Sequence, residues 1–242
     1  MATGLRIRNQ DTQLLQIASG YRNLELVKSG TLNVNDFIGG GDIRYNQADS
    51  GVLSGTQGND FMHVIRFVED NVSANSAFSV VQAQVTSKVY VSKSSPNKTV
   101  EYYTFGYSQN NPTGPVGLKL RNDDGTTYYD SRRKGLRVLG VIELTSIPSG
   151  PPALLGQYFA GTKIGLAFPN PRFYYDSPYP EIGNMYADGL NMTSDNRVFI
   201  SQKNIWYQNQ VGRFQVGNTV AANQTASVFI VDLTEVPLNF TA

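Results

Sequence analysis

The chain has 242 residues, with 20 Lys and Arg against 19 Asp and Glu, 40% hydrophobic but only 16% charged residues, and no Cys. That length suits one large core or two ordinary ones. A net charge of +1 gives no field to gather phosphate backbones or an anionic membrane, and without Cys there is neither a disulfide scaffold nor a thiolate metal site.

Taken in chain order, the opening residues Met1 to Arg8 lack the apolar run of an export signal, and no stretch is apolar enough to span a bilayer as a helix. Synthesis in the cytosol, without membrane insertion, is the expectation. Leu5 and Ile7 alternate with Arg6 and Arg8, which reads as a strand; Gln13 to Val27 has room for one short turn of helix. Gly39 to Gly58, with Gly39-Gly40-Gly41, reads as a long loop. The run Phe61 to Phe67 is strand-like and contains the single His, His63, which reads as a structural His sooner than as a general base. Further strands are expected around Val85, Val89 and Val91 and around Val228 and Ile230.

Turn chemistry separates the strands at Pro96-Asn97, Asn110-Asn111-Pro112, Asn122-Asp123-Asp124-Gly125, Pro148 to Pro152, Ser177-Pro178 and Asp188-Gly189. Many short strands punctuated in this way indicate an all-β fold with little helix. A second long loop is expected from Pro169 to Asp195, rich in Pro, Tyr, Gly and Asn.

Gly4-Leu5-Arg6-Ile7-Arg8-Asn9 matches Gly117-Leu118-Lys119-Leu120-Arg121-Asn122 position by position, 113 residues later. After a turn, Asn23-Leu24-Glu25-Leu26-Val27 falls opposite Gly135-Leu136-Arg137-Val138-Leu139. The spacing is far longer than that of solenoid or propeller repeats, so it indicates a duplicated module, against the alternative that two hairpins share a pattern by coincidence. Two tandem, related, β-sandwich-like modules are expected, at residues 1–112 and 113–242, with Asn110 to Pro115 as the link.

Enzymatic handles are scarce. No nucleophile elbow, phosphate loop or zinc-protease helix occurs. Glu69-Asp70, Asp123-Asp124, Asp176 and Glu181 offer carboxylates, but solvated turns account for them; Asp188 to Asp195 lacks the spacing and the closing Glu of a calcium loop. Arg132-Arg133-Lys134 is an isolated basic run. No enzyme activity, cofactor, metal or nucleic-acid partner is expected. The aromatic positions Tyr174, Tyr175, Tyr179, Trp206 and Tyr207 are the candidate binding residues, since Tyr and Trp offer area with a polar tip and stack on sugar rings; the alternative is aromatics packed into a core.

The block Gly117 to Gly125, with Tyr129-Asp130-Ser131 and Leu136 to Leu139, resembles the opening motif of small tail proteins of long-tailed bacteriophages: a GLxVxNxxG strand, an F/Y-D-S step and a short apolar strand. The first half keeps Gly4 to Asn9 but has Gln16-Ile17-Ala18-Ser19 in place of the Asp-Ser step. What the resemblance implies is a structural virion protein of the tail tip or baseplate. It would connect the tail hub with fibres or neighbouring subunits, self-associate symmetrically, and stay in the host cytoplasm until assembly. A carbohydrate- or receptor-binding protein, a capsid decoration protein, a pore former and a carboxylate-pair hydrolase remain the alternatives.

Overall fold

The computed structural model describes residues 6–8, 15–18, 24–36, 38–39, 49–53, 61–73, 77–82, 87–91, 95–107, 117–121, 125, 127–145, 151–169, 172–179, 182–209, 217–220 and 225–241. At 6–8, 15–18, 38–39, 49–53, 80–82, 87–88, 128–129, 173–179, 182–185, 203–209 and 217–220 the description is of the backbone alone.

The fold is all-β. The strands of the first half are β1 (Arg6–Arg8), β2 (Leu15–Ala18), β3 (Glu25–Asn33), β4 (Ile38–Gly39), β5 (Asp49–Leu53), β6 (Met62–Phe67), β7 (Ser79–Gln82), β8 (Ser87–Val91) and β9 (Thr99–Gly106). Those of the second half are β10 (Lys119–Arg121), β11 (Thr127–Asp130), β12 (Val138–Leu144), β13 (Ala153–Gln157), β14 (Ile164–Ala167), β15 (Phe173–Tyr179), β16 (Ile182–Met192), β17 (Arg197–Asn209), β18 (Gly217–Val220) and β19 (Ala226–Asp232). Among the described residues a 3-10 turn at Val34–Asp36 is the sole helical element. The short helix considered within Gln13 to Val27 is replaced there by β2 and the start of β3. Both expected loops contain strands: β4 and β5 fall in or at the start of Gly39 to Gly58, and β15 and β16 fall in Pro169 to Asp195. Pro178 falls at the register shift of β15, while Gly51, Gly183 and Gly189 sit within paired strands, so neither residue type excludes pairing there.

Six strands form a first layer in the order β12-β19-β14-β6-β9-β3. Three come from each side of the expected boundary, and they meet where β6 pairs with β14 through Ile65 opposite Leu166 and Val64 opposite Ala167. One row crosses the whole layer: Gly30, Tyr102, Ile65, Leu166, Ile230, Gly140. Each half contributes an edge Gly and two large apolar residues to it, in mirrored order. At Gly30 a Cβ would come within 2.9 Å of the Tyr102 hydroxyl, so this position needs the smallest residue.

The second layer is built from a four-stranded sheet, β4-β5-β8-β7, and a five-stranded sheet, β13-β17-β16-β15-β18. They touch at Phe78 and Leu190, whose backbone groups exchange hydrogen bonds of 2.8 and 2.7 Å. The first half winds β3, β5, β6, β7, β8, β9 and the second β12, β13, β14, β16, β17, β19. Each alternates between the layers in the manner of a short jelly roll, with β15 and β18 unmatched in the first half among the described residues.

Apolar alternation explains why both faces of the first layer are buried. Ile65, Tyr102, Leu166 and Ile230 point into the core between the layers, alongside Phe78, Val89, Leu190 and Val198. Their chain neighbours Val64, Tyr103, Ala167 and Val231 face outward, under Leu233, Val236, Leu238 and Phe240. Side chains of this size contribute about 1.5–3 kcal/mol each when fully buried, so the buried Ile65 and Leu166 stabilise the seam between the halves.

Candidate functional site

The motif that carries the sequence resemblance is a hairpin with a defined closure. β10 and β11 pair Lys119 with Asp130 and Leu120 with Tyr129, then shift by a bulge before Arg121 meets Thr127. β1 and β2 repeat this register and bulge, with Arg6 opposite Ala18, Ile7 opposite Ile17 and Arg8 opposite Leu15. In the second half Ser131 locks the hairpin base: its N–H donates to the Leu118 carbonyl and its Oγ accepts from the Leu118 N–H, both at 2.9 Å. A Cβ on Gly117 would lie 2.5 Å from that Oγ, so the placement of the Ser131 side chain calls for Gly at 117. Asp130 accepts from the Arg132 Nε at 2.9 Å and Nη2 at 2.6 Å. These bonds with Arg132, reinforced by Lys119 at 3.8 Å, hold its carboxyl down at about 2.

Beyond the hairpin the chain docks on the first half. The Leu26 N–H donates to the Lys134 carbonyl, the Leu136 N–H donates to the Leu24 carbonyl, each at 2.8 Å, and Arg133 pairs with Glu25. Leu24 and Leu136, equivalent in the sequence repeat, are thus hydrogen-bonded partners. Asp70 accepts from the backbone and hydroxyl of Ser194, and the Asn191 Nδ2 donates to the Ser73 carbonyl at 2.9 Å, so loops of the two halves are tied as well.

The aromatic candidates fall on one sheet region. Tyr174, Tyr175 and Tyr179 lie on β15, Trp206 and Tyr207 on β17, with β16 between. Register sets Thr219, Tyr175, Met185 and Trp206 in one row, and Asn218, Asp176, Asn184 and Tyr207 in the next. The side chains of all five candidates lie outside the described residues. This region includes β15 and β18, which have no counterpart in the first half among the described residues.

The titratable groups are held in structural contacts. Glu69 accepts from the Thr99 N–H at 3.0 Å, Asp195 is paired with Arg197 at 2.9 Å, and Asp188, fully buried, accepts from the Arg172 Nε at 2.8 Å and Nη2 at 3.1 Å. On the outer face of the first layer Lys163 donates to the Tyr103 hydroxyl at 2.8 Å and pairs with Glu101 at 3.1 Å, while Tyr103 donates to Glu101 at 2.9 Å. Burial, then the Glu101 carboxylate, push the Tyr103 phenol far above its ordinary range. Such a phenol is a poor nucleophile. His63 lies in the core with Nδ1 3.0 Å from the Thr104 hydroxyl, and burial lowers its pKa to about 4. Asp176 and Glu181 have side chains outside the described residues. Among the described residues no group of three His, Asp or Glu is placed to hold a metal, and no helix is long and apolar enough to cross a membrane.

Three large apolar side chains of the second half are exposed: Val141 on β12, Leu154 on β13 and Phe159 after it, 41%, 56% and 40% exposed. Sequence reading passed over this region because Val141 and Leu154 look like ordinary strand residues; only the sheet order reveals that β12 and β13 are both edges. No protein-family model, curated protein or solved structure matches the chain.

Proposed function

We propose that the chain is a structural virion component of a phage tail tip or baseplate, a duplicated β module that links the hub to fibres or neighbouring subunits through protein–protein contacts, including contacts with copies of itself. The observation that carries this reading is the repeated motif hairpin, whose Gly117, Asp130 and Ser131 have interlocking structural roles and whose register recurs in β1 and β2. A non-enzymatic role agrees with the described carboxylates Glu69, Asp70, Asp188 and Asp195, each engaged by hydrogen bonds or cations. The tie between the halves at β6–β14 and Phe78–Leu190 suits a connector that transmits position between its two ends.

Locating the chain in a density map of an intact particle tests the reading. Density at the tail tip supports it, density on the capsid replaces it with a decoration role, and absence from every virion sinks it. A second reading, glycan or receptor binding, is favoured by the row that sets Tyr175 and Trp206 on either side of Met185. Aromatic positions in one row of a sheet offer a stacking platform. Binding on a glycan array, lost in Tyr175→Ala and Trp206→Ala, is its expected signature.

A further inference from the structure

The outer face of the first layer is closed by a segment that crosses its strands. After β19 the chain turns: the Thr234 N–H donates to the Asp232 carboxylate at 2.9 Å and the Val236 N–H to the Leu233 carbonyl at 3.1 Å. The strap from Leu233 to Thr241 then runs from the second half to the first. Its root is Leu233, fully buried, whose N–H donates to the Lys163 carbonyl at 2.8 Å next to β14; a Cβ on Gly165 would lie 2.7 Å from this Leu233 side chain. Its far end reaches β3, where Thr241 bridges Lys28. Four strand spacings separate β19 from β3, about 19 Å, and Leu233 to Thr241 can extend over about 26–29 Å.

Along the way Val236, Leu238 and Phe240 pack on the cluster of Leu26, Val64, Tyr103 and Phe105, while Thr234, Glu235, Pro237 and Asn239 are exposed. The strap pairs with none of β14, β6 and β9 among the described residues. The Lys134–Glu235 pair, at 3.4 Å, lies largely in solvent and is worth little. What grips the far end is Ser29, buried on β3. Its N–H donates to the Phe240 carbonyl at 2.9 Å, its hydroxyl donates to the Pro237 carbonyl at 2.7 Å, and the same hydroxyl accepts from the Phe240 N–H at 3.1 Å. Asn239, at φ +58°, makes the bend between these two partners, a conformation Asn tolerates. A segment laid across strands and clasped at its end can open while the ladders beneath it stay intact.

We infer that this strap is exchangeable between copies: the outer face of the first layer is a docking site for the segment Leu233 to Thr241, filled by the chain's own strap or by that of a second copy. The second copy fits because it carries the same residues, so the Ser29 clasp and the apolar contacts re-form in full across the junction. A strap on a short link competes with those of other copies at an effective concentration of about 1 mM, a density that neighbours in a symmetric array provide. This rests on the self-association in the proposed function and gives it a surface.

Absence of Cys from the chain permits a direct test. The bond from the Ser29 N–H to the Phe240 carbonyl makes Lys28 and Thr241 a non-hydrogen-bonded antiparallel pair, whose Cα atoms lie about 4.5 Å apart, within disulfide reach. Lys28 is half-buried and Thr241 exposed, so both accept Cys without disturbing the core. In dilute solution Lys28→Cys/Thr241→Cys is expected to close a disulfide within one chain, which checks the pairing. Mixed at about 1 mM without denaturant, the Lys28→Cys and Thr241→Cys single variants are expected to give an oxidised heterodimer well above the dimer formed by either alone. Hydrogen exchange of the Ser29 and Phe240 amides is expected to run ahead of that between β6 and β9. Equal protection, or a double variant that does not close, would overturn the inference. If the mixed variants do not cross-link while sedimentation at the same concentration finds the wild-type chain associated, the exchange alone falls. If they do not cross-link and the chain is monomeric, the self-association behind it falls as well.

Discussion

The two halves of the molecule share a winding but differ at their margins. In the first half the outer strand β3 is covered by segments of the second, and the second-layer strands β7 and β8 are short. In the second half β12 ends the strand order of its sheet, and the corresponding strands β16 and β17 are long and extended sideways by β15 and β18. The shared winding forms the two-layer frame, and the strands β15 and β18 that depart from it lie where the glycan-binding reading is placed.

The cores differ as well, and the differences can be broken one at a time. The second half buries an ion pair, Arg172 with Asp188, that also ties down the Leu144 carbonyl at 3.3 Å. Removing one partner strands a buried charge, so Arg172→Ala is expected to cost about 3–5 kcal/mol in denaturant unfolding. A loss below 1 kcal/mol would mean the pair is solvated, by the weak worth of exposed ion pairs.

The first half instead buries a neutral imidazole. The pKa of His63 is lowered by burial to about 4, from the ordinary 6.5, so the unfolded chain binds this proton first. Stability from this group is complete above pH 6.5 and is lost as pH falls towards 4, by about 3 kcal/mol in total. His63→Phe should flatten that part of the stability profile; an unchanged profile in the variant would assign the acid sensitivity elsewhere.

The second-half hairpin has the Gly117–Ser131 fit. Gly117→Ala drives a Cβ against Ser131 and is expected to cost about 1–3 kcal/mol, with most of the loss recovered in Gly117→Ala/Ser131→Ala. Additive losses would separate the two residues. At Phe159, substitution by Gly removes the left-handed strain. A gain of about 1 kcal/mol in stability is expected in denaturant unfolding. Loss of stability would show that the ring is needed for packing within one copy.

Much of the fold could be read from the residues. Alternation at Ile7, Val89 and Ile230 located strands, and the match of Gly4 to Asn9 with Gly117 to Asn122 anticipated two hairpins of one register. Alternation tells which residues share a face but not which strand lies alongside. The β6–β14 seam therefore went unseen, since Ile65 and Leu166 are far apart in the chain and carry no mutual signal. The same limit hid the β12 edge. Pro and Gly in Pro169 to Asp195 suggested a loop because their effect on a strand depends on whether it is central or marginal. The aromatic candidates were found by residue type; that β15, β16 and β17 bring their positions together follows from pairing alone.

The central claim is that the two halves form one body around a shared sheet, and scanning calorimetry of the intact chain tests it most directly. A single transition, with calorimetric and van't Hoff enthalpies in agreement, is predicted. Two separable transitions, one from each half, would contradict it.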